Sequence, residues 1–247
     1  MAEFWPVDHL RHLIVQPADA RLYPPEGYLY VQDGLIIACG VLYALMYVFA
    51  MLAVVRDRVL PGSVKYLSLM MAHEVYYASA TTSTQLERIC FLVWFECDLA
   101  FVSIALWHVY DRSQWRRIIS EMALYFSLAV AAMKYLGVLY PDDREQMTAY
   151  WTGLLLQLPV GWIYLYRLLA DRSTRGQSLE IWIVRYLGCY TAYGVFIWRY
   201  LNVPQNWPYV GSFWSWAIFL ATLLPETIYP FVYIWAWRGG AGKVKTG

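Results

Sequence analysis

The sequence predicts an all-α fold, an integral membrane bundle of seven transmembrane helices, from three observations. Of the 247 residues, 60% are hydrophobic and only 15% are charged, whereas soluble domains carry about 25% charged residues. The mean hydropathy is +0.39. The apolar residues gather into seven long runs, and runs of about 18 or more residues are long enough to cross a bilayer.

Polar or turn-forming segments separate the first spans. The first run ends at the charged stretch 56–58, which is followed by a Pro-Gly turn at 61–62. The second ends at a Thr/Ser stretch, 81–84, and the third at the polar residues 111–113. The seven spans are predicted at residues 34–55, 64–82, 89–110, 118–140, 147–169, 179–201 and 212–237.

Similar segments separate the later spans. The fourth run ends at the loop 141–145, the fifth at the polar linker 171–178, and the sixth at the Pro/Asn-rich segment 202–208. The loop 141–145 (Pro-Asp-Asp-Arg-Glu) superficially resembles an acidic motif that binds magnesium diphosphate. Because it stands alone between two spans, we interpret it as a solvated turn. No internal repeat occurs, so one transmembrane domain covering residues 1–247 is the simplest prediction.

The two ends of the chain are predicted to lie outside the bundle. The first 30 residues have no continuous apolar core, so a cleavable signal is not predicted. They are interpreted as an interfacial arm, with an apolar side formed by Phe4, Trp5, Leu10, Leu13 and Ile14. Residues 239–247 are predicted to be a flexible cytoplasmic tail.

The distribution of Lys and Arg predicts the orientation. Twelve of these residues flank the spans on the side of the C-terminus and six flank them on the other side. The side richer in Lys and Arg is usually cytoplasmic, which places the C-terminus in the cytoplasm. We expect a multi-pass protein of the endoplasmic reticulum if the source is eukaryotic, or of the plasma membrane if it is bacterial.

Several classes of partner are disfavoured. The net charge of +1 predicts no nucleic-acid partner. The four cysteines form no CxxC pair and lie in apolar runs, which favours buried thiols over a disulfide or zinc site. His73 has no second histidine at helical spacing, so no metal and no cofactor are predicted.

Four carboxylates lie within the predicted spans: Glu74, Glu96, Asp98 and Glu226. A charged side chain near the middle of a bilayer costs at least about 3 kcal/mol, which makes each of them a candidate catalytic residue. Glu96 and Asp98 are about 200° apart around a helix and do not share a face. The helical neighbours of Glu74 are small or polar, so we expect it to face the interior.

The alternative is that these acids only hold helices together, with Arg185 and Lys134 as available partners. If the spans pack as an ordinary bundle, however, Glu74 and Glu226 lie at similar depth and can open into one cavity. A carboxyl group in an apolar pocket retains its proton more readily and can act as an acid. Aromatic faces stabilise cations by about 1–2 kcal/mol, so acids with aromatic walls suit carbocation chemistry.

Three segments resemble those of the membrane-bound terpene cyclases, the paspaline-type and meroterpenoid cyclases of fungi and their bacterial relatives. They are His-Glu-Val-Tyr-Tyr-Ala at 73–78, Trp-Phe-Glu-Cys-Asp at 94–98, and Pro-Glu-Thr-Ile-Tyr-Pro-Phe-Val-Tyr at 225–233. The resemblance implies that the second-span acid, Glu74, and the last-span acid are catalytic. The last-span acid of that family is usually Asp, and Glu226 is one methylene longer.

The resemblance further implies proton-initiated cyclisation of a prenyl chain attached to an aromatic or heterocyclic head group, without release of diphosphate and without magnesium. The expected partners are a prenylated small molecule and the lipid bilayer. Glu96 or Asp98 would orient the proton donor. The expected wall of the pocket consists of His73, Tyr77, Trp94, Tyr190, Trp214, Tyr229 and Tyr233.

Two other functions stay open at this point. An enzyme of the sterol-isomerase type also uses acids within the membrane, but on a preformed ring system, so it needs a shorter pocket. A non-enzymatic seven-helix receptor or transporter is the other alternative. A retinal protein would need a lysine in the seventh span, and residues 212–237 contain none.

Overall fold

The structure is a computed structural model that describes residues 12–82, 84–141 and 147–241. These residues form helices and no β-strand, which confirms the all-α prediction. A short 3₁₀ helix, Pro208–Gly211, precedes the last α-helix. The α-helices are α1 (Pro17–Ala20), α2 (Glu26–Asp57), α3 (Val64–Ala80), α4 (Gln85–Val109), α5 (Arg112–Leu139), α6 (Met147–Asp171), α7 (Leu179–Asn202) and α8 (Phe213–Ala241).

Side-chain caps begin three of the long helices at the predicted loops. The Ser63 hydroxyl accepts a hydrogen bond from the backbone N–H of Lys65 at the start of α3. Thr84 caps α4 and Ser178 caps α7 in the same way. A capping hydroxyl satisfies one of the N–H groups that the first turn leaves unpaired, so these residues determine where the helices begin.

The seven predicted spans correspond to the seven long helices, α2 to α8. Five of these helices, α2, α4, α5, α6 and α8, are long and apolar enough to cross a membrane. The helix α3 is shorter, with 17 residues, and α7 carries the buried side chains of Arg185 and Arg199. The structure therefore supports a multi-pass membrane protein.

Six of the long helices form a closed ring. Around the ring the order is α3, α4, α2, α7, α8 and α6, and α6 packs against α3 to close it. The helix α5 packs on the outside of this ring, mainly against α3. Only Ile118 and Met133 of α5 are buried, so most of its apolar surface is available to lipid.

The described part of the N-terminal arm differs from the prediction. The helix α2 begins at Glu26, so the arm ends before residue 30. Ile14 is buried, and its carbonyl accepts a hydrogen bond of 2.6 Å from the Gln32 amide of α2. This part of the arm packs onto the bundle, because its backbone forms a hydrogen bond with α2. Phe4, Trp5 and Leu10 lie outside the described residues.

The structure describes only part of the C-terminal segment and of the acidic loop. The helix α8 continues to Ala241, so residues 239–241 of the predicted tail belong to a helix, and residues 242–247 lie outside the described part of the chain. Residues 142–146, which include most of the predicted solvated turn, lie outside the described part of the chain.

Candidate active site

A cavity of about 390 Å³ lies inside the ring of helices, within the range of small-molecule sites. Its described lining comes from α2, α3, α4, α6 and α7, and extends from Ile14 of the arm to the α2–α3 loop at residues 60–63. On α2 itself the lining runs from Ile36 to Tyr47. Ten aromatic residues line it: Tyr43, Tyr47, Tyr66, Phe91, Trp94, Phe101, Tyr150, Tyr164, Tyr193 and Phe196.

Two of the four predicted acids line this cavity. Glu74 of α3 is 7% exposed and Asp98 of α4 is 1% exposed. They are close enough to interact electrostatically. Within the described residues, neither acid forms an ion pair, and Glu74 Oε2 and both Asp98 oxygens lack a hydrogen bond of standard geometry. An ionised carboxylate would be costly there, so the arrangement favours acids that hold a proton.

Two tyrosines accompany this pair of acids. The Tyr47 hydroxyl of α2 is close enough to Asp98 to interact with it. The Tyr66 hydroxyl of α3 is buried, has no hydrogen-bond partner within the described ranges and also lies within electrostatic range of Asp98. Both tyrosines line the cavity. This part of the wall thus combines two carboxyl groups with two phenols, all of which can donate or accept a proton.

His73 lies beside Glu74 and is held by the backbone of α6. Its Nε2 is 3.3 Å from the Ala149 carbonyl oxygen, and because a carbonyl only accepts, Nε2 carries the hydrogen of this bond. The ring packs against Tyr77 at 4.7 Å between centroids. His73 lines the cavity, and its contacts are those of a hydrogen-bonded core histidine.

Glu226 occupies a different environment. It is fully buried, and its two carboxylate oxygens accept hydrogen bonds from Arg185 Nε at 2.7 Å and Arg185 Nη2 at 2.9 Å. Arg185 lines the cavity, whereas Glu226 is not among its lining residues. The expectation that Glu74 and Glu226 open into one cavity is therefore wrong. Glu226 instead pairs with Arg185, which is one of the two cationic partners that the alternative prediction named.

Gly161 of α6 permits the close approach of α8 at this point. A Cβ atom at residue 161 would lie 2.7 Å from Glu226 Oε1 and 3.0 Å from Pro225 Cγ. Neither neighbour can move easily, since the carboxylate is held by Arg185 and the proline ring is part of α8. Only glycine at this position leaves room for the Arg185–Glu226 pair.

Gly161→Ala is therefore expected to destabilise the protein, although alanine favours helices by about 1 kcal/mol over glycine. Overpacking a tight contact costs about 1–3 kcal/mol, so we expect a lower midpoint of thermal unfolding in detergent micelles. Gly34→Ala in α2 is the control, because no atom lies within 4 Å of the added carbon. Equal midpoints for the two variants would contradict the argument.

Among the other predicted site residues, Trp94 is the one that lines the cavity. Glu96 is on the exposed face of α4, and Tyr190 and Trp214 are also exposed. Tyr77 and Tyr229 are buried but do not line the cavity, and Tyr233 is partly buried.

Sequence reasoning missed the wall that α2 contributes. Its lining residues fall on one helical face, which could have been recognised from the spacing of Ile36, Cys39, Gly40, Tyr43, Met46 and Tyr47. The four cysteines are free, and no three His, Cys, Asp or Glu side chains in the described ranges lie close enough together to hold a metal ion.

The fold and the cavity together define an all-helical, multi-pass membrane protein whose aromatic-walled cavity is lined by three acids, Glu74, Glu87 and Asp98. The chain belongs to the Pyr4-like transmembrane terpene cyclases, whose family model matches residues 18–239. This confirms the family that the three short segments indicated.

Two curated relatives are similar to this chain. The Pyr4-family terpene cyclase mfmH of Annulohypoxylon moriforme is 27% identical over 227 residues, which cover 90% of this chain and 93% of the relative. The terpene cyclase cdmG of Talaromyces verruculosus is 25% identical over 196 residues, which cover 76% of this chain and 81% of the relative. No solved structure matches the chain.

Proposed function

We propose that this protein is a cyclase that protonates an epoxide or alkene of a prenyl chain on a meroterpenoid-type substrate and directs ring closure through carbocations. The observation that carries the proposal is the pair Glu74 and Asp98, two adjacent buried acids without a cationic partner among the described residues, in an aromatic cavity. The names of both relatives as terpene cyclases support it.

The proposed first step is transfer of one proton from a carboxyl group of this pair to the substrate. With an epoxide, the proton goes to the oxygen and the C–O bond breaks as the neighbouring alkene attacks. With an alkene, the proton goes to carbon and leaves a cation. Each ring closes when a further alkene donates its electrons. Loss of a proton from carbon, or capture by an oxygen of the substrate, ends the cascade, and the released proton can restore the acid.

Glu74 and Asp98 suit this acid role better than Glu226 does. A general acid must hold a proton that it can release, and a carboxyl group without a cation beside it is more readily protonated. Glu226 instead accepts two hydrogen bonds from Arg185, an arrangement typical of an ionised carboxylate. We therefore propose Glu74 as the donor, with Asp98 as the acid that shares or replaces its proton.

The walls supply what the cationic intermediates need. Tyr47 and Trp94 line the cavity, and aromatic rings can stabilise a cation by about 2 kcal/mol when water is excluded. The lining includes Ile14 of the arm and Leu60 of the α2–α3 loop. This spread of lining residues along the bundle favours an extended prenyl chain, as in a cyclase, over the preformed ring system of an enzyme of the sterol-isomerase type.

We propose that all seven long helices cross the membrane, with the C-terminus in the cytoplasm as the charge distribution predicts. The helices α3 and α7, which are not among the five that are long and apolar enough to cross a membrane by composition, pack within the ring. Their polar side chains Glu74, Arg185 and Arg199 are buried there and line the cavity.

The proposed function is tested with membranes that contain the protein and with farnesylated aromatic substrates, epoxidised and not. We expect a cyclic product with the mass of its substrate. In D₂O, a product initiated by alkene protonation gains one carbon-bound deuterium, whereas an epoxide-initiated product carries deuterium only on its exchangeable hydroxyl. Mass spectrometry distinguishes the two. Absence of cyclic product from both substrates, over a range of head groups, would contradict the proposal.

A further inference from the structure

Arg185 is the most firmly held charged side chain of the cavity wall. Glu226 accepts bonds from its Nε and Nη2. The guanidinium carbon lies 4.2 Å from the centroid of the Tyr164 ring and 5.5 Å from that of Tyr229. Tyr229 in turn donates to Gln177 Oε1 at 2.9 Å. Together, these contacts fix the orientation of the guanidinium group.

One nitrogen of this group is not used by the protein. Arg185 is 1% exposed, and its Nη1 has no hydrogen-bond partner among the described residues. A buried donor without an acceptor is unfavourable, and a charged one more so. Because Arg185 lines the cavity, a ligand in the cavity can supply the missing acceptor.

The ring of helices places this donor across from the proposed acid. Arg185 is on α7 and Glu74 is on α3, and each of these helices is three positions from the other in either direction around the ring. Both residues line the cavity, so a substrate that spans the ring from α3 to α7 contacts both. In that pose the reactive chain end lies near Glu74 and the head group lies near Arg185.

We propose that Arg185 anchors the substrate through Nη1, which donates a hydrogen bond to a carbonyl or phenol oxygen of the head group, and that Glu226 is a positioning residue for Arg185. The inference rests on the proposed function for the identity of the ligand as a prenylated compound. Glu226 neutralises the guanidinium, so the pair has no net charge and suits a neutral oxygen acceptor better than a diphosphate. The last-span acid thus acts through the arginine.

The inference predicts a binding preference that does not depend on catalysis. Two probes are compared whose terminal alkene has been reduced, so that neither can be protonated there: a farnesylated acetophenone, and a farnesylated benzene that lacks oxygen. A hydrogen bond from a charged donor corresponds to about tenfold or more in affinity. We therefore expect the purified protein in nanodiscs to bind the acetophenone probe at least about tenfold more tightly.

The variants separate anchoring from a purely structural role. In R185Q/E226Q both charges are removed together, and we expect the preference for the acetophenone probe to fall to within about twofold of unity. In E226D the charged pair is kept, and we expect the preference to remain. Unequal folding is monitored by the midpoint of thermal unfolding. If R185Q/E226Q does not fold, R185K replaces it, since an ammonium group cannot keep both bonds to Glu226 and also reach the position of Nη1.

A wild-type protein that binds both probes equally would overturn the inference, as would a folded R185Q/E226Q or R185K protein that keeps the full preference. Because these outcomes are measured as binding affinities of probes that lack the terminal alkene, they are independent of the activity assay. If the wild-type protein forms no cyclic product but still prefers the acetophenone probe, that result would count against the proposed function and not against the anchoring role of Arg185.

Discussion

Glu74→Gln is expected to reduce the rate of cyclisation by at least about 100-fold, since positioned acids contribute about 10²–10⁴ to catalysis. The substitution keeps the size and shape of the side chain but removes the proton that it can transfer. Asp98 lies beside it, so a residual rate through Asp98 is expected.

Asp98→Asn should also slow the reaction. The double variant should lose less than the product of the two effects, because residues that act as a unit are not additive. The measurement is the initial rate of product formation.

Glu96→Gln is the matched control for these variants. Glu96 is two residues from Asp98 on the same helix but lies on its exposed face, so we expect a rate within about twofold of the wild type. Full activity of Glu74→Gln in the same membranes would remove Glu74 from the donor role. Loss of activity in Glu96→Gln alone would show that the cavity is not the place of reaction.

Arg185→Met is expected to lower the free energy of unfolding by about 3–5 kcal/mol, the usual cost of breaking a buried ion pair from one side. Glu226 is fully buried, and without Arg185 its carboxylate would lose both hydrogen bonds from the guanidinium. The double variant R185M/E226M should be less destabilised than the single one, because no unpaired charge remains. Denaturation in detergent micelles measures both.

The exposed pair of Lys65 and Glu121 is the control for this comparison. Their side chains are 43% and 28% exposed, although Lys65 Nζ is only 2.7 Å from Glu121 Oε2. An exposed pair of this kind contributes little, so Lys65→Met should leave the unfolding transition nearly unchanged. If Arg185→Met were as mild as Lys65→Met, the pair of Arg185 and Glu226 would not be a stabilising element of the bundle.

The sequence predicted the helices well because the signal is local. Long apolar runs, polar loops and capping residues lie next to the elements that they determine, so the bounds of α3, α6 and α7 agree with the prediction within a few residues. Glu74 could also be predicted, because a carboxylate in an apolar run has few reasons to be there other than function or pairing.

The rest of the site depends on which helices are neighbours, and that is not a local property. Spacing showed that Glu96 and Asp98 face different ways, but not which of them faces inward. Tyr190 was assigned to the pocket because tyrosines recur along α7, yet it lies on the exposed face and contacts Tyr186 there. Tyrosine is tolerated at membrane surfaces as well as in pockets, so its spacing could not decide. The pairing of Glu226 with Arg185 likewise required the packing of α7 against α8.

That pairing has a consequence for how the chain enters the membrane. Arg185 and Arg199 keep α7 from being apolar enough to insert readily by itself, and an arginine in a span costs about 3 kcal/mol during insertion. Its neutralising partner, Glu226, is synthesised later, on α8, after a connection of only residues 203–212. If α7 crosses the membrane as proposed, the two helices are best accommodated as one hairpin that partitions into lipid together, with the ion pair already formed between them. The last quarter of the protein would then be a single unit of biogenesis, which completes the ring only after it has been translated.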